Sequence, residues 1–338
     1  SIAKTVCEAM FASGRDARAI VAERGLAQIN DRAALVTVLA QVLAENAQPV
    51  REYLAGKETI AKFLVGQVMK ASQGKANPAQ VTELLKRKLA QRQARQAPEH
   101  GAAPAAAPEA VAAREAARRG AGIVCLPELY RTRYFPQDEC AGLHDLSETI
   151  PGTSTRAFSA LAREHGVVVI VPVFERGESG AFHNTAVVID RDGGILPPYR
   201  KVHVPLDPLF YEKHYFVPGD GYRVYDAGPA RFSVLICYDQ WFPEAARAVT
   251  LMGAEIIFYP TAIGWIGGER WPAEGDWRDA WEAVQRGHAI ANGIHVAAVN
   301  RAGLEGDLLF WGGSFVADAF GKVIARAGEK EEVLVADL

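Results

Sequence analysis

Cysteine and methionine are scarce in these 338 residues, with four of the first and three of the second. Cys7, Cys125, Cys140 and Cys237 form no CxxC pair and no regular spacing. That argues against a disulfide framework and fits a reduced, cytoplasmic setting. An HExxH pair and any regular His/Asp/Glu ligand spacing are also missing, so no metal is indicated and no cofactor is expected. There is no GxxxxGK(S/T) phosphate loop; the nearest glycine cluster, Gly267-Gly268, lacks the strand before it and the helix after it that such a loop requires. No apolar run approaches the roughly 20 residues that span a bilayer, and no signal peptide is visible, so a membrane is not among the expected partners. The chain opens on Ser1 rather than Met, and an upstream portion is expected to be missing.

What is present can fill a sizeable core: 49% of residues are hydrophobic, in a chain long enough for two domains. The net charge of −3 gives no global reason to expect nucleic acid, but its distribution is uneven. Residues 1–97 carry 15 Lys/Arg against 8 Asp/Glu, and the remainder 22 against 32. Such asymmetry can mark separate partners. The first ninety residues read as short helices. In 31–46, Leu35, Val38, Leu39, Val42 and Leu43 recur at the spacing of one buried helical face. Asn77-Pro78 reads as a cap and first position for a helix over 79–89. Residues 91–108, rich in Ala, Gln, Arg and Pro with no periodic apolar face, read as a flexible linker.

From 109 onward, apolar runs alternate with amphipathic segments. Strands are predicted at 123–126, 167–174, 185–189, 232–237, 256–259, 296–299, 314–317 and 333–336, and helices near 109 and at 153–165, 242–252 and 280–292. The alternation argues for a layered α/β domain, without distinguishing a doubly wound sheet from a sandwich. Within it, Cys237 closes the run Phe232-Ser-Val-Leu-Ile236 and is followed by a turn and a helix. Backbone N–H groups at such a turn favour negative charge on a thiol, although on position alone a small core cysteine is an equal reading. Two further segments carry chemistry to the ends of apolar runs: Leu126-Pro127-Glu128-Leu129-Tyr130 and Tyr199-Arg200-Lys201-Val202-His203-Val204-Pro205. Glu, Lys and Cys together can supply a base, an oxyanion partner and a nucleophile.

These segments resemble the nitrilase, or carbon–nitrogen hydrolase, superfamily, and its N-carbamoylputrescine amidase branch in particular. The resemblance includes Cys237-Tyr-Asp-Gln-Trp-Phe-Pro-Glu-Ala-Ala-Arg247, Phe258-Tyr-Pro-Thr-Ala-Ile-Gly264, Gln285-Arg-Gly-His288 and Ala298-Val-Asn-Arg301. It implies a four-layer α–β–β–α sandwich, and a thiol hydrolase of linear C–N bonds acting on a small ureido or amide substrate. Cys237 would be the nucleophile, Glu128 the general base and acid, and Lys201 the cationic partner. Glu212, eleven residues beyond Lys201, matches the family's second active-site glutamate. Tyr238 would offer its backbone N–H to the oxyanion. His203 lies where the family uses a histidine near the substrate, with a satisfied loop histidine an equal reading. Tyr134, Asp239 and Trp241 are candidate pocket walls. The aromatic cluster Trp265, Trp271, Trp277 and Trp281 would line a lid or, preferably, pack between subunits. A homo-oligomer is expected if the hydrolase part is intact.

The family's usual first strand is not found before the helix near 109, and the expectation is a domain lacking that strand and the C-terminal tail beyond Leu338. Residues 1–90 instead resemble the tail domain of the glutamyl/aspartyl-tRNA amidotransferase B subunit. The match runs through Phe63-Leu-Val-Gly66-Gln67-Val-Met69-Lys70-Ala-Ser-Gln-Gly74-Lys75-Ala-Asn77-Pro78, with Gly25-Leu26 to Ile29-Asn30 and Tyr53-Leu-Ala-Gly56-Lys57 also fitting. In that family the tail is a helical module that contacts tRNA. It implies a small all-α domain with weak tRNA contact through Lys70, Lys75, Lys86, Arg87 and Lys88. The alternative function is therefore a tRNA-binding accessory module with an inactive hydrolase half.

Overall fold

A computed structural model describes residues 9–10, 16, 32–54, 57, 59–96, 107–139, 143–267 and 275–338. Cys7, Gly25-Leu26 to Ile29-Asn30, Gly56, 97–106 of the expected linker, Cys140 and Trp271 lie outside them. The chain divides into two compact units, Ser1–His100 and Gly101–Leu338.

The first unit is helical: α1 (Arg32–Glu45), α2 (Ala47–Leu54), α3 (Ile60–Ala71) and α4 (Pro78–Gln96). Leu35, Leu39, Val42 and Leu43 of α1 pack with Leu64 and Val68 of α3 and with Val81, Leu84, Leu85 and Leu89 of α4. The i, i+3, i+4 spacing puts each set on one helical face. Asn77 Oδ1 accepts the Ala79 N–H at 3.0 Å, capping α4 as its sequence suggests. That helix runs on through Gln96, so the first six residues of the expected linker are helical. Ala, Gln and Arg are strong helix formers, and composition without periodicity does not stop a helix already nucleated. At the linker's other end, Pro108 is the first residue of the next helix.

The second unit is the α–β–β–α sandwich. One sheet has the order β1 (Ile123–Cys125), β2 (Val168–Arg176), β3 (Phe182–Ile189), β4 (Tyr199–Arg200). The other holds β5 (Val224–Ala227), β6 (Ala230–Val234), β7 (Ile256–Thr261), β9 (His295–Asn300), β12 (Phe315–Ala317) and β13 (Val323–Arg326), with β5 and β13 at its edges. A small third sheet joins β8 (Gly264–Ile266), β10 (Ala302–Glu305) and β11 (Leu308–Trp311). Helices α5 (Pro108–Arg118) and α6 (Thr153–His165) cover the first sheet, and α7 (Pro243–Leu251) and α8 (Trp277–Asn292) the second.

The pleat explains why β2 and β3 are apolar at nearly every position. Val169, Val171 and Val173 face the helices together with Val187 and Ile189. Val168 and Ile170 face the opposite sheet together with Ala186 and Val188. A strand buried on both faces shows a continuous apolar run rather than an alternation. The parallel pairs β1–β2, β6–β7 and β7–β9 are joined through α6, α7 and α8, as crossover connections require.

Two expectations need correction. Residues 333–336 are not a strand; they run irregularly, with the Val333 carbonyl accepting from Arg119 Nη1 at 2.8 Å. A ladder needs a neighbouring strand, and apolar composition alone cannot supply one. The 232–237 run stops as a strand at Val234, because Cys237 takes a left-handed φ of 43° and opens a 3₁₀ turn, Cys237–Trp241. Replacing Ile170, fully buried between the sheets, with Ala should cost about 2–5 kcal/mol of unfolding free energy, read from chemical denaturation.

Candidate active site

Five segments bring their side chains to one buried point. Glu128 follows β1, Asn184 lies in β3, Lys201 follows β4, Glu212 opens the 3₁₀ turn Glu212–His214, and Cys237 follows β6. The backbone near Lys201 is closely held. Its N–H donates to the Asn184 carbonyl and its own carbonyl accepts from Gly219, both within 2.9 Å. A Cβ at Gly219 would stand 2.2 Å from the Arg200 carbonyl oxygen, so only glycine fits there.

Lys201, Glu128 and Glu212 have fully buried side chains. Lys201 Nζ stands 2.7 Å from Glu128 Oε1 and 2.7 Å from Glu212 Oε2. Asn184 Nδ2 donates to Glu128 Oε1 at 2.7 Å and to Glu212 Oε2 at 3.4 Å, and Tyr134 Oη donates to Glu212 Oε1 at 2.6 Å. Glu212 is thus no surface partner of its neighbour Lys213. Two oxygens of the cluster are buried without a hydrogen-bond partner, Glu128 Oε2 and Asn184 Oδ1, and of these only Glu128 Oε2 is a carboxylate oxygen.

The charges follow from this packing. Burial pushes the Glu128 carboxyl up, Lys201 opposes it and Glu212 adds to it, leaving it at about 7. Burial works against the Lys201 charge, but the two carboxylates outweigh it and hold the ammonium more firmly protonated than usual. The Cys237 thiol is pushed well above its ordinary value, first by burial and then by Glu128. The expected lowering by the turn's N–H groups is outweighed by burial, so the resting group is a thiol and not a thiolate.

Cys237 itself sits in a strained left-handed conformation, a feature that costs about 1–3 kcal/mol and persists only when neighbours impose it. Asp239 is one such neighbour. Its Oδ2 accepts from Tyr199 Oη at 2.6 Å and from the Ile236 N–H at 2.8 Å. Its Oδ1 accepts from the His203 N–H at 2.9 Å and lies 2.8 Å from His203 Nδ1. Expected as a pocket wall, Asp239 is instead fully buried with both oxygens engaged, and it ties the Cys237 turn to the segment after Lys201. His203 stacks on Phe242 at 3.7 Å, which favours the reading of a satisfied loop histidine. In the 3₁₀ turn the Asp239 N–H already bonds Ile236, so the Cys237 and Tyr238 N–H groups precede the first turn bond and have no acceptor within it.

Trp241 is half-buried and meets Trp277 edge-on at 6.1 Å between ring centres. Trp265 and Trp281 both pack on Trp311 inside the unit, so these two serve the chain's own core and not a subunit contact or a lid. In the helical unit Lys70 and Lys86 are exposed and Lys75 and Lys88 half-buried; the Arg87 side chain lies outside the described residues. Asn184 was missed from the sequence. It opens an apolar strand run, and only its contact with two distant carboxylates marks it.

The cluster thus sets a buried carboxylate–lysine–carboxylate group beside a cysteine on a strained turn. The carbon–nitrogen hydrolase family matches over residues 65–338, and the chain belongs to that family. A GatB domain match covers residues 1–89. Both matches include 65–89, a segment whose Val68, Val81, Leu84, Leu85 and Leu89 pack in the core of the helical unit. An N-carbamoylputrescine amidase of Solanum lycopersicum is 43% identical over 234 residues, 66% of this chain and 77% of that protein. A citrullinase of Francisella tularensis is 40% identical over 219 residues, 63% and 75% of the two chains. The crystal structure of a carbon–nitrogen hydrolase from Helicobacter pylori G27 superposes with a TM-score of 0.63 at 42% identity, covering 67% of this chain and 81% of that one.

Asn184→Leu removes a donor that favours the Glu128 carboxylate. The Glu128 pKa should therefore rise above about 7, and the fall in Cys237 alkylation rate on acidification should begin at a higher pH than in the wild type. A stopped-pH series with iodoacetamide and peptide mapping checks this.

Proposed function

We propose that the chain hydrolyses a linear C–N bond of a small ureido or amide compound through a covalent intermediate on Cys237, acting as an N-carbamoylputrescine amidase-like enzyme. The observation that carries this reading is the unpartnered Oε2 of Glu128, the one carboxylate oxygen of the buried cluster that no donor reaches. That oxygen is free to take the thiol proton as the sulfur attacks the carbonyl carbon. Because the thiol is not ionised at rest, proton transfer and attack belong to one step. The oxyanion then forms near Lys201 Nζ and the Tyr238 N–H, where preorganised donors are worth about 3–4 kcal/mol each.

Glu128, now protonated, gives its proton to the leaving nitrogen as the C–N bond breaks. Water enters, loses a proton to Glu128 and attacks the thioester-like carbon, and the sulfur leaves with that proton. With a ureido substrate the sum is one water consumed and amine, carbon dioxide and ammonia released. A carboxyl near pH 7 suits both halves, since it must accept and donate within one cycle. Glu212, held by Tyr134, keeps Lys201 aimed between the two carboxylates. Tyr238 and Trp241 border the substrate in this reading.

Ammonia release from a panel of ureido and amide compounds is the direct test. Cys237→Ala should abolish turnover. Lys201→Met should slow formation of the covalent species, and Glu128→Gln should be at least as damaging because both proton transfers are lost. Wild-type turnover by Glu128→Gln at neutral pH would overturn the base assignment.

We also propose weak, salt-sensitive tRNA contact by the helical unit, on the GatB domain match and the exposed Lys70 and Lys86. Phosphate contacts release counterions, so affinity should fall steeply with salt. Fluorescence anisotropy of labelled tRNA at two salt concentrations reads this, and absence of binding at low salt would remove the proposal.

A further inference from the structure

Glu128 is held at its side chain by Lys201 and Asn184, and its backbone has a separate restraint. Arg301, at the junction of β9 and β10, is nearly buried, at 9% exposure. Its Nη1 donates to the carbonyls of Glu128 at 3.1 Å and Leu129 at 2.9 Å. Its Nη2 donates to the Thr132 carbonyl at 2.8 Å and to Glu305 Oε1 at 2.6 Å, and its Nε donates to the same oxygen at 3.0 Å. A guanidinium has five N–H groups, and all five are placed. Leu129 needs this, because its φ of 49° is left-handed for a residue with no short polar side chain to stabilise it. Glu305 continues the chain of contacts: its Oε2 accepts the Tyr134 N–H at 2.7 Å, and Tyr134 Oη holds Glu212.

We infer that the Arg301–Glu305 pair is a positioning clamp for the active site, fixing through the backbone of 128–134 where both Glu128 and Tyr134 meet Lys201. The inference rests on the hydrolase reading for its kinetic consequence and on geometry for the rest. Arg301 touches no reacting atom. A lysine there would place one charge but could not bridge three carbonyls and a carboxylate, since the planar fork is what spans them. With the loop released, Glu128 drifts from Lys201 and Asn184 while staying among Glu212, Tyr134 and Cys237. Losing the cation's support raises its proton affinity.

The test uses the full chain with Arg301→Lys and, as the milder variant, Glu305→Gln, which keeps the Arg301–carbonyl bonds. Two readouts are taken across pH: kcat and KM for ammonia release, and the rate of Cys237 alkylation by iodoacetamide, which needs no substrate. The clamp requires kcat to fall about 10-fold or more, on the scale of a small misplacement, with KM changed far less. It also requires the acidic limb of the alkylation profile to move to higher pH, more for Arg301→Lys than for Glu305→Gln. Should Arg301→Lys fail to fold, the limb of Glu305→Gln decides. A limb that stays with the wild type, with activity falling only in step with the folded fraction, overturns the inference. If the wild type releases no ammonia from any substrate, the hydrolase reading fails while the alkylation profile still judges the clamp.

Discussion

The second unit is organised around one buried ammonium. Lys201 lies between two carboxylates, with every charged atom of the three residues removed from water. Breaking a buried pair by removing one partner typically costs about 3–5 kcal/mol, because the remaining charge has no solvent to turn to. Here the loss of Lys201 would leave two carboxylates facing each other. Five separate segments must therefore arrive in register, and the sandwich supplies them from strands or strand ends of both sheets and from one short turn.

The same arrangement sets the proton inventory. Two carboxyl groups and one ammonium meet with no side-chain surface exposed to solvent. Burial and the neighbouring Glu212 hold the Glu128 carboxyl near 7, where it can both take and give a proton, while Lys201 stays charged. A cysteine beside a net negative cluster keeps its own proton. The site thus stores the capacity for proton transfer in the carboxyl and not in a preformed thiolate.

Around the charged cluster the backbone is held in conformations it would not choose. Leu129 and Cys237 both have left-handed φ angles, one next to the candidate base and the other at the candidate nucleophile. Each is countered by a neighbouring ionic group that bonds backbone atoms: Arg301 on the carbonyls of 128–132, Asp239 on the Ile236 and His203 N–H groups. Helix α7, with Pro243 at its first position, then carries the chain away from the turn. Rigid strands deliver the residues to within a few ångströms, and these side-chain bonds to the backbone set the last part of their orientation.

Much of this was readable in the sequence. Continuous apolar runs marked β2, β3, β6, β7 and β9, and helical periodicity with an Asn77 cap marked α1 and the start of α4. Glu128, Lys201 and Cys237 stood out because each ends an apolar run, and Glu212 only through the family resemblance. The short strands β4, β5, β8, β10, β11 and β13 gave no such signal, since two to four residues are too few to show a period. The linker's first residues became helix, and 333–336 lost its strand, because propensity is local while a ladder partner is not. Asn184 and the bonding of Arg301 and Asp239 were decided only by tertiary structure. Their distant partners lie 28 to 173 residues away, and the strained turns they support leave no mark on composition. The order of residues determined which groups could do chemistry; the fold decided which oxygen of Glu128 was left without a partner, and that is a matter of where five segments meet.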